Sequence, residues 1–180
     1  EAAEQRGNTA DISAAWLSLG NLSPPTVALD YYRKAAQTAP TVLSRLQAQV
    51  NTLNVLVDLG FLSEARPLLT EILATLPDLP PNRSSLFIRI NVASQALKST
   101  AFNANPPLLS SDAIADLLTT TLGQAQAIGD ARAETYSLGY LGQLYELNQQ
   151  WAEAIDFTRR ANVVSQSIDA SDATYQWQWQ

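Results

Sequence analysis

Cysteine and histidine are both absent from this 180-residue chain. Without cysteine there is no disulfide, no thiolate metal site and no thiol nucleophile. Without histidine there is no imidazole base or ligand, so histidine-dependent triads and histidine–metal sites are excluded as well. The lack of cysteine leaves the compartment open, since a cysteine-free helical protein suits an oxidising or a reducing space; the cytoplasm is the favoured reading. Basic residues are also scarce, 11 against 17 acidic ones, for a net charge of −6. Phosphate neutralisation needs clustered Lys and Arg. The only adjacent basic pairs, Arg33-Lys34 and Arg159-Arg160, read as solvated helix faces, and nucleic acid is not the expected partner. Long apolar runs are missing too. The charge-free stretch Ile12 to Leu29 is broken by Gly20 and by Pro24-Pro25, so no membrane-spanning helix is expected. No signal peptide or glycine-rich phosphate loop is present, and Gly139-x2-Gly142 reads as a close-packing spot within a helix. Both ends read as cut from a longer chain.

What is present is helical. Hydrophobic residues make up 46% of the chain, enough to bury a substantial core. Ala, Leu, Gln and Glu dominate the segments between breakers, and apolar residues recur at helical spacing: Leu46, Val50, Leu53 and Leu56-Val57 form one stripe, Leu138, Leu141 and Tyr145 another. The breakers predict helix ends. Gly20-Asn21-Leu22-Ser23-Pro24-Pro25 ends a first helix and opens the second, with Ser23 a candidate N-cap and Pro24 tolerated in the first turn. Pro40-Thr41 separates the second from the third, Gly60 caps the third, and the fourth begins near Ser63. Pro77 to Pro81, with Asn82 as cap, precedes a fifth helix at about 83–98. A long loop over 99–110 leads to a sixth helix from Ser111 to Ile128. Gly129-Asp130 is a stop–start pair before helices at about 131–147 and 151–168, and Ser171 caps a ninth that the end of the chain cuts.

A repeat runs through this pattern. Leu138-x2-Leu141-Gly142-x2-Tyr145, followed by Ala154 and Ala161, has the spacing of a tetratricopeptide (TPR) repeat. Ala28-x3-Tyr32 leading to Pro40 and Ala65-x3-Leu69 leading to Pro77 repeat one phase 37 residues apart. Ile90-x2-Ala93-Ser94-x2-Leu97 keeps the first-helix phase. The expected fold is all-α: a right-handed TPR-like superhelix of antiparallel helix pairs, about four hairpins plus truncated ends, forming one domain over 1–180. The expected units are about 9–42, 43–79, 82–129 and 130–168, with 171–180 starting another helix. Small residues (Ala28, Ala65, Ala154, Gly142) are expected where the helices of a hairpin approach closely. Bulky ones (Tyr32, Leu69, Tyr145) are expected between successive hairpins.

Beyond the generic repeat, Arg89–Lys98, Ile128–Glu134, Leu138–Glu146, Trp151–Ala154 and Tyr175–Gln180 resemble the TPR region of bacterial CHAT-domain proteins, where helical repeats precede a caspase-like peptidase domain. The resemblance covers roughly 80–180, while 1–77 matches only the generic repeat. It implies a regulatory or scaffold segment beside a protease module. No catalytic residue carries over, because this chain has neither the histidine nor the cysteine of that module.

No catalytic residues, metal ligands or cofactor are expected. Asp112 and Asp116, four apart, share a helix face as an acid/base or metal pair would. The plainer reading is a helix-N-terminal charge and a solvated residue, since two carboxylates from one helix make a poor site unaided. Trp16 and Trp151 read as core. Trp177 and Trp179, two apart on the cut helix, cannot face the same way, so one would be exposed and open to self-association. The remaining candidate surface lies on the first helix of each hairpin. By phase, Asn51, Asn54, Asn91, Gln95, Gln143 and Glu146 form a ladder of polar side chains with Tyr136 at its edge. Amides donate and accept, which suits a peptide backbone. The expected function is therefore a protein–protein interaction or scaffold module that binds a protein or peptide on this concave face. A structural spacer positioning a neighbouring, protease-like domain is the alternative, and a carboxylate-dependent enzyme a second.

Overall fold

Helix follows helix along the described residues. The computed structural model describes residues 2–101 and 106–167, with side chains from residue 8 onward. Among these the elements are α1 (Ala2–Leu22), α2 (Pro25–Thr38), α3 (Val42–Asp58), α4 (Leu62–Thr75), α5 (Arg83–Ala101), α6 (Ser111–Ile128), α7 (Ala131–Leu147) and α8 (Trp151–Ser167), with a 3-10 turn Leu76–Asp78 after α4. The described residues are thus all-α, without a strand. The ninth helix, its cap Ser171, and Trp177 and Trp179 lie outside them, as does the Asn103–Asn105 stretch of the long loop.

The breakers act through identifiable bonds. Thr41 caps α3 by accepting from the Ser44 amide at 3.1 Å, and the Ser44 hydroxyl accepts from the Thr41 amide in return. Asn82 and Ser85 exchange the same pair of bonds at the start of α5. Gly129 takes a left-handed φ of 70°, and Asp130 then caps α7. α1 ends at Leu22, inside the expected Gly20–Pro25 stretch, and Gly20 lies against the Tyr32 ring, where a Cβ would clash. One expectation at this corner fails. Ser23 is not the N-cap of α2. Its hydroxyl donates to the Leu19 carbonyl at 2.7 Å, Pro24 occupies the cap position, and Pro25 fills the first helical turn.

The chain divides into two compact units, Glu1–Leu79 and Pro80–Gln180. In the first unit, α1 packs on α2, α2 on α3 and α3 on α4. Its core takes Ala28, Tyr32 and Ala35 from α2, Leu46, Val50, Leu53 and Leu56 from α3, and Ala65, Leu69 and Ile72 from α4. In the second unit each helix packs on the next, and α5 also meets α7 directly. Its core gathers Ala93, Ala96 and Leu97, then Ile114, Leu118 and Leu122, Leu138, Leu141 and Leu144, and Ala161 of α8. These are the i, i+3, i+4 stripes visible in the sequence. The returning end of the long loop is pinned, with Leu108 buried and its amide donating to the Ser99 hydroxyl.

Of the small residues, Ala28, Ala65 and Ala154 are buried, and Gly142 faces α8 at Ala154 and Thr158, a close approach within one hairpin. The bulky ones do not all sit between hairpins. Tyr32 lies against Gly20 of its own hairpin and donates to Asn21 Oδ1 at 2.8 Å, and Tyr145 stacks on Phe157 of α8 with ring centres 5.3 Å apart. Trp16 is half-buried, stacked on Tyr31 beneath the Lys34 ammonium. Trp151 is a clear correction: it is 59% exposed at the start of α8 rather than core.

One backbone position carries strain. Gln149, between α7 and α8, has φ 60°, the only non-glycine with positive φ among the described residues. It holds the place that Gly60 holds between α3 and α4, and the Gln150 amide closes the turn on the Tyr145 carbonyl at 2.8 Å. Gln149→Gly is expected to raise stability by about 0.5–1 kcal/mol, because glycine reaches this conformation without a Cβ clash. Urea denaturation of the two proteins checks it, and an unchanged or lower midpoint counts against the strain.

Candidate functional site

The expected polar ladder falls into two sets, one in each unit. Asn51 and Asn54 lie on one face of α3, both half-buried; Asn54 Oδ1 is shielded from solvent with no hydrogen-bond partner. In the second unit, Asn91 and Gln95 lie on α5, and Tyr136, Gln143 and Glu146 on α7. The two helices meet through aromatic side chains. Phe87 of α5 contacts Tyr136 edge-on at 5.9 Å between ring centres, and Tyr136 leans on Tyr140 at 6.4 Å. Beneath them lie Leu86, Ile90, Ala125 and Ala133.

That contact sets a register. After two chain reversals α5 and α7 run the same way, so one turn beyond Phe87–Tyr136 places Asn91 level with Tyr140. Another turn places Gln95 level with Gln143. The second unit therefore brings four of the expected residues (Asn91, Gln95, Tyr136 and Gln143) onto adjoining stripes, with Glu146 one turn further along α7. Asn91 is exposed, while Gln95, Tyr136 and Gln143 are half-buried. Gln95 Oε1 is shielded and has no hydrogen-bond partner, an arrangement that costs free energy until a donor reaches it. Arg89 points to the opposite side of α5 and is buried, and that burial lowers its guanidinium pKa from the ordinary value.

A second feature was missed from the sequence. In the first unit α2 and α4 stand as walls on either side of α3 and enclose a cleft of about 480 Å³. Leu56 of α3 forms its floor, with Pro67 and Leu68 of α4 to one side. Arg33 and Glu64, one from each wall, pair at 2.8 Å, and Gln49 Nε2 donates to Glu71 Oε1 at 2.7 Å. Gln49 is only 8% exposed. Gln49, Thr52 and Leu56 occupy the side of α3 opposite Asn51 and Asn54, so the cleft is separate from the expected face.

The other candidates are plainer. Asp112 and Asp116 are both exposed on α6, and no group of three metal-ligating side chains forms among the described residues. The basic pairs lie on open faces: Arg33 bonds Glu64, Lys34 bonds Asp30, and Arg160 reaches Asp156 and the Phe157 ring. No helix among the described residues is long and apolar enough to cross a membrane. No family model matches this chain, and no curated protein matches it.

Proposed function

We propose that the chain is a TPR-like interaction module, its hairpins stacking as a right-handed superhelix, that holds a protein segment against its first-helix face. The observation that carries this reading is the α5–α7 face. Aromatic rings at one end (Phe87, Tyr136, Tyr140) adjoin a row of amides (Asn91, Gln95, Gln143), and one of those amides has a shielded acceptor without a donor. An extended segment offers backbone N–H donors to fill it, and an apolar side chain can rest on the rings. The direct packing of alternate helices α5 and α7 supports the repeat reading, because a lone hairpin leaves a face that only the next hairpin covers. The likeness to CHAT-protein repeats fits a scaffold role beside a protease module and rests on sequence alone.

A peptide array probed with the whole chain tests the proposal. For the tightest peptides, Asn91→Ala with Gln143→Ala is expected to weaken binding by about 1–3 kcal/mol while changing stability by less than about 1 kcal/mol, because neither residue is fully buried. No retained peptide, or unaltered affinity in the double variant, would favour the structural spacer.

A further inference from the structure

We propose that the α2–α3–α4 cleft of the first unit is a second binding site, one that takes a lysine side chain of a partner protein, its ammonium on Glu71 and its methylene stem along Leu56, Pro67 and Leu68. The cleft, at about 480 Å³, lies within the range of sites that hold small ligands, which is about 300–1,000 Å³. Its chemistry is divided: an apolar floor and side beneath a polar rim, matching a side chain with an aliphatic stem and a charged tip.

The charge of the occupant follows from the rim. Glu64 already has a cation, Arg33, whereas Glu71 has only the amide of Gln49. Gln49 is buried and bonds one carboxylate oxygen, which fixes the orientation of Glu71 and leaves its second oxygen without a cationic partner. The groove therefore presents a held, uncompensated negative charge beside apolar surface. Lysine fits this better than arginine. A guanidinium gains most from both oxygens of a carboxylate at once, and one oxygen of Glu71 is taken; an ammonium is a point charge satisfied by the other. The Thr52 hydroxyl also lines the cleft and donates to the Ala48 carbonyl at 2.9 Å, so its lone pairs remain as a second acceptor. The Arg33–Glu64 pair, both members about half exposed, is weakly held and can yield as the ammonium enters.

This site is on the opposite side of α3 from the amides and is independent of the first-helix reading. The test uses the full chain, isotope-labelled, titrated by NMR with acetyl-Ala-Lys-Ala-amide, the norleucine analogue acetyl-Ala-Nle-Ala-amide, and cadaverine. The lysine peptide is expected to shift backbone signals across residues 33–37, 49–56 and 64–71, and to bind at least about tenfold more tightly than the norleucine peptide. Glu71→Gln should remove most of that preference, and Glu71→Ala should serve if the glutamine variant does not fold. The Asn91→Ala, Gln143→Ala double variant should leave it intact. Equal binding of both peptides, a preference that survives both Glu71 substitutions, or shifts confined to other segments would overturn the site. Cadaverine binding as tightly as the lysine peptide would overturn the assignment to a protein side chain.

Discussion

Gly142→Leu is expected to lower stability by about 1–3 kcal/mol, through overpacking rather than through helix propensity. Gly142 lies in the middle of α7, where it faces α8. A Cβ placed there would come 2.5 Å from Thr158 Oγ1 and 3.3 Å from the Ala154 carbonyl oxygen. The hydroxyl belongs to a β-branched side chain with few rotamers, and the carbonyl belongs to helix backbone, so neither yields without moving α8. Gly123 on α6 provides the contrast, since a Cβ there would meet nothing within 4 Å. Gly123→Ala is therefore expected to stabilise by about 0.5–1 kcal/mol, the ordinary gain of replacing a mid-helix glycine. Two helical glycines thus respond with opposite sign. Denaturant titration of both variants measures the difference, and Thr158→Ala should return part of what Gly142→Leu loses. A Gly142→Leu protein with the parent's midpoint would mean that α7 and α8 do not approach as described.

The contrast also shows what was legible beforehand. Gly142 could be placed at a close approach because Leu138, Leu141 and Tyr145 fix its phase and Ala154 and Ala161 supply small partners at repeat spacing. Helix ends set by a local bond were equally readable. Thr41, Asn82, Gly129 and Asp130 act on groups within three or four residues of themselves. Ser23 fails locally, because its hydroxyl turns back to the Leu19 carbonyl instead of forward to α2. Other features answer to something distant: Gly20 also receives a ring twelve residues away on the next helix, which its place in a breaker stretch does not reveal. Trp151 sits at the phase of a core residue, but whether that phase is covered depends on which element comes next to it. The amides of α5 and α7 share a stripe by periodicity alone. Their register, by contrast, needed the Phe87–Tyr136 contact. The cleft was out of reach altogether, because it is space left between α2 and α4 across α3, and no periodicity encodes a separation.

Asp130 should tie stability to pH in the acid range. Its side chain is 6% exposed at the N-terminus of α7, where it accepts from the Ala133 amide at 3.1 Å and from Arg83 Nε at 2.8 Å. The hydrogen bond from Arg83 first, and the backbone amides with it, hold the carboxyl below its ordinary value against the opposing effect of burial. The folded state therefore releases this proton more readily than the unfolded chain. The stabilisation is present in full above the unfolded value of about 3.9 and is lost as pH falls through that value towards the lower folded one. Arg83 is 71% exposed, so the Coulomb part of the pair is screened and its contribution to stability is discounted. Asp130→Ala is expected to cost about 1–3 kcal/mol at neutral pH. Asp130→Asn keeps an oxygen for the Ala133 amide but cannot titrate, so it should lose less at neutral pH and show a shallower decline between about pH 5 and about pH 2. Urea titrations of the parent and both variants across that range decide the matter. If Asp130→Asn declines as steeply as the parent, the acid sensitivity lies in other carboxylates and Asp130 is a cap whose charge is immaterial.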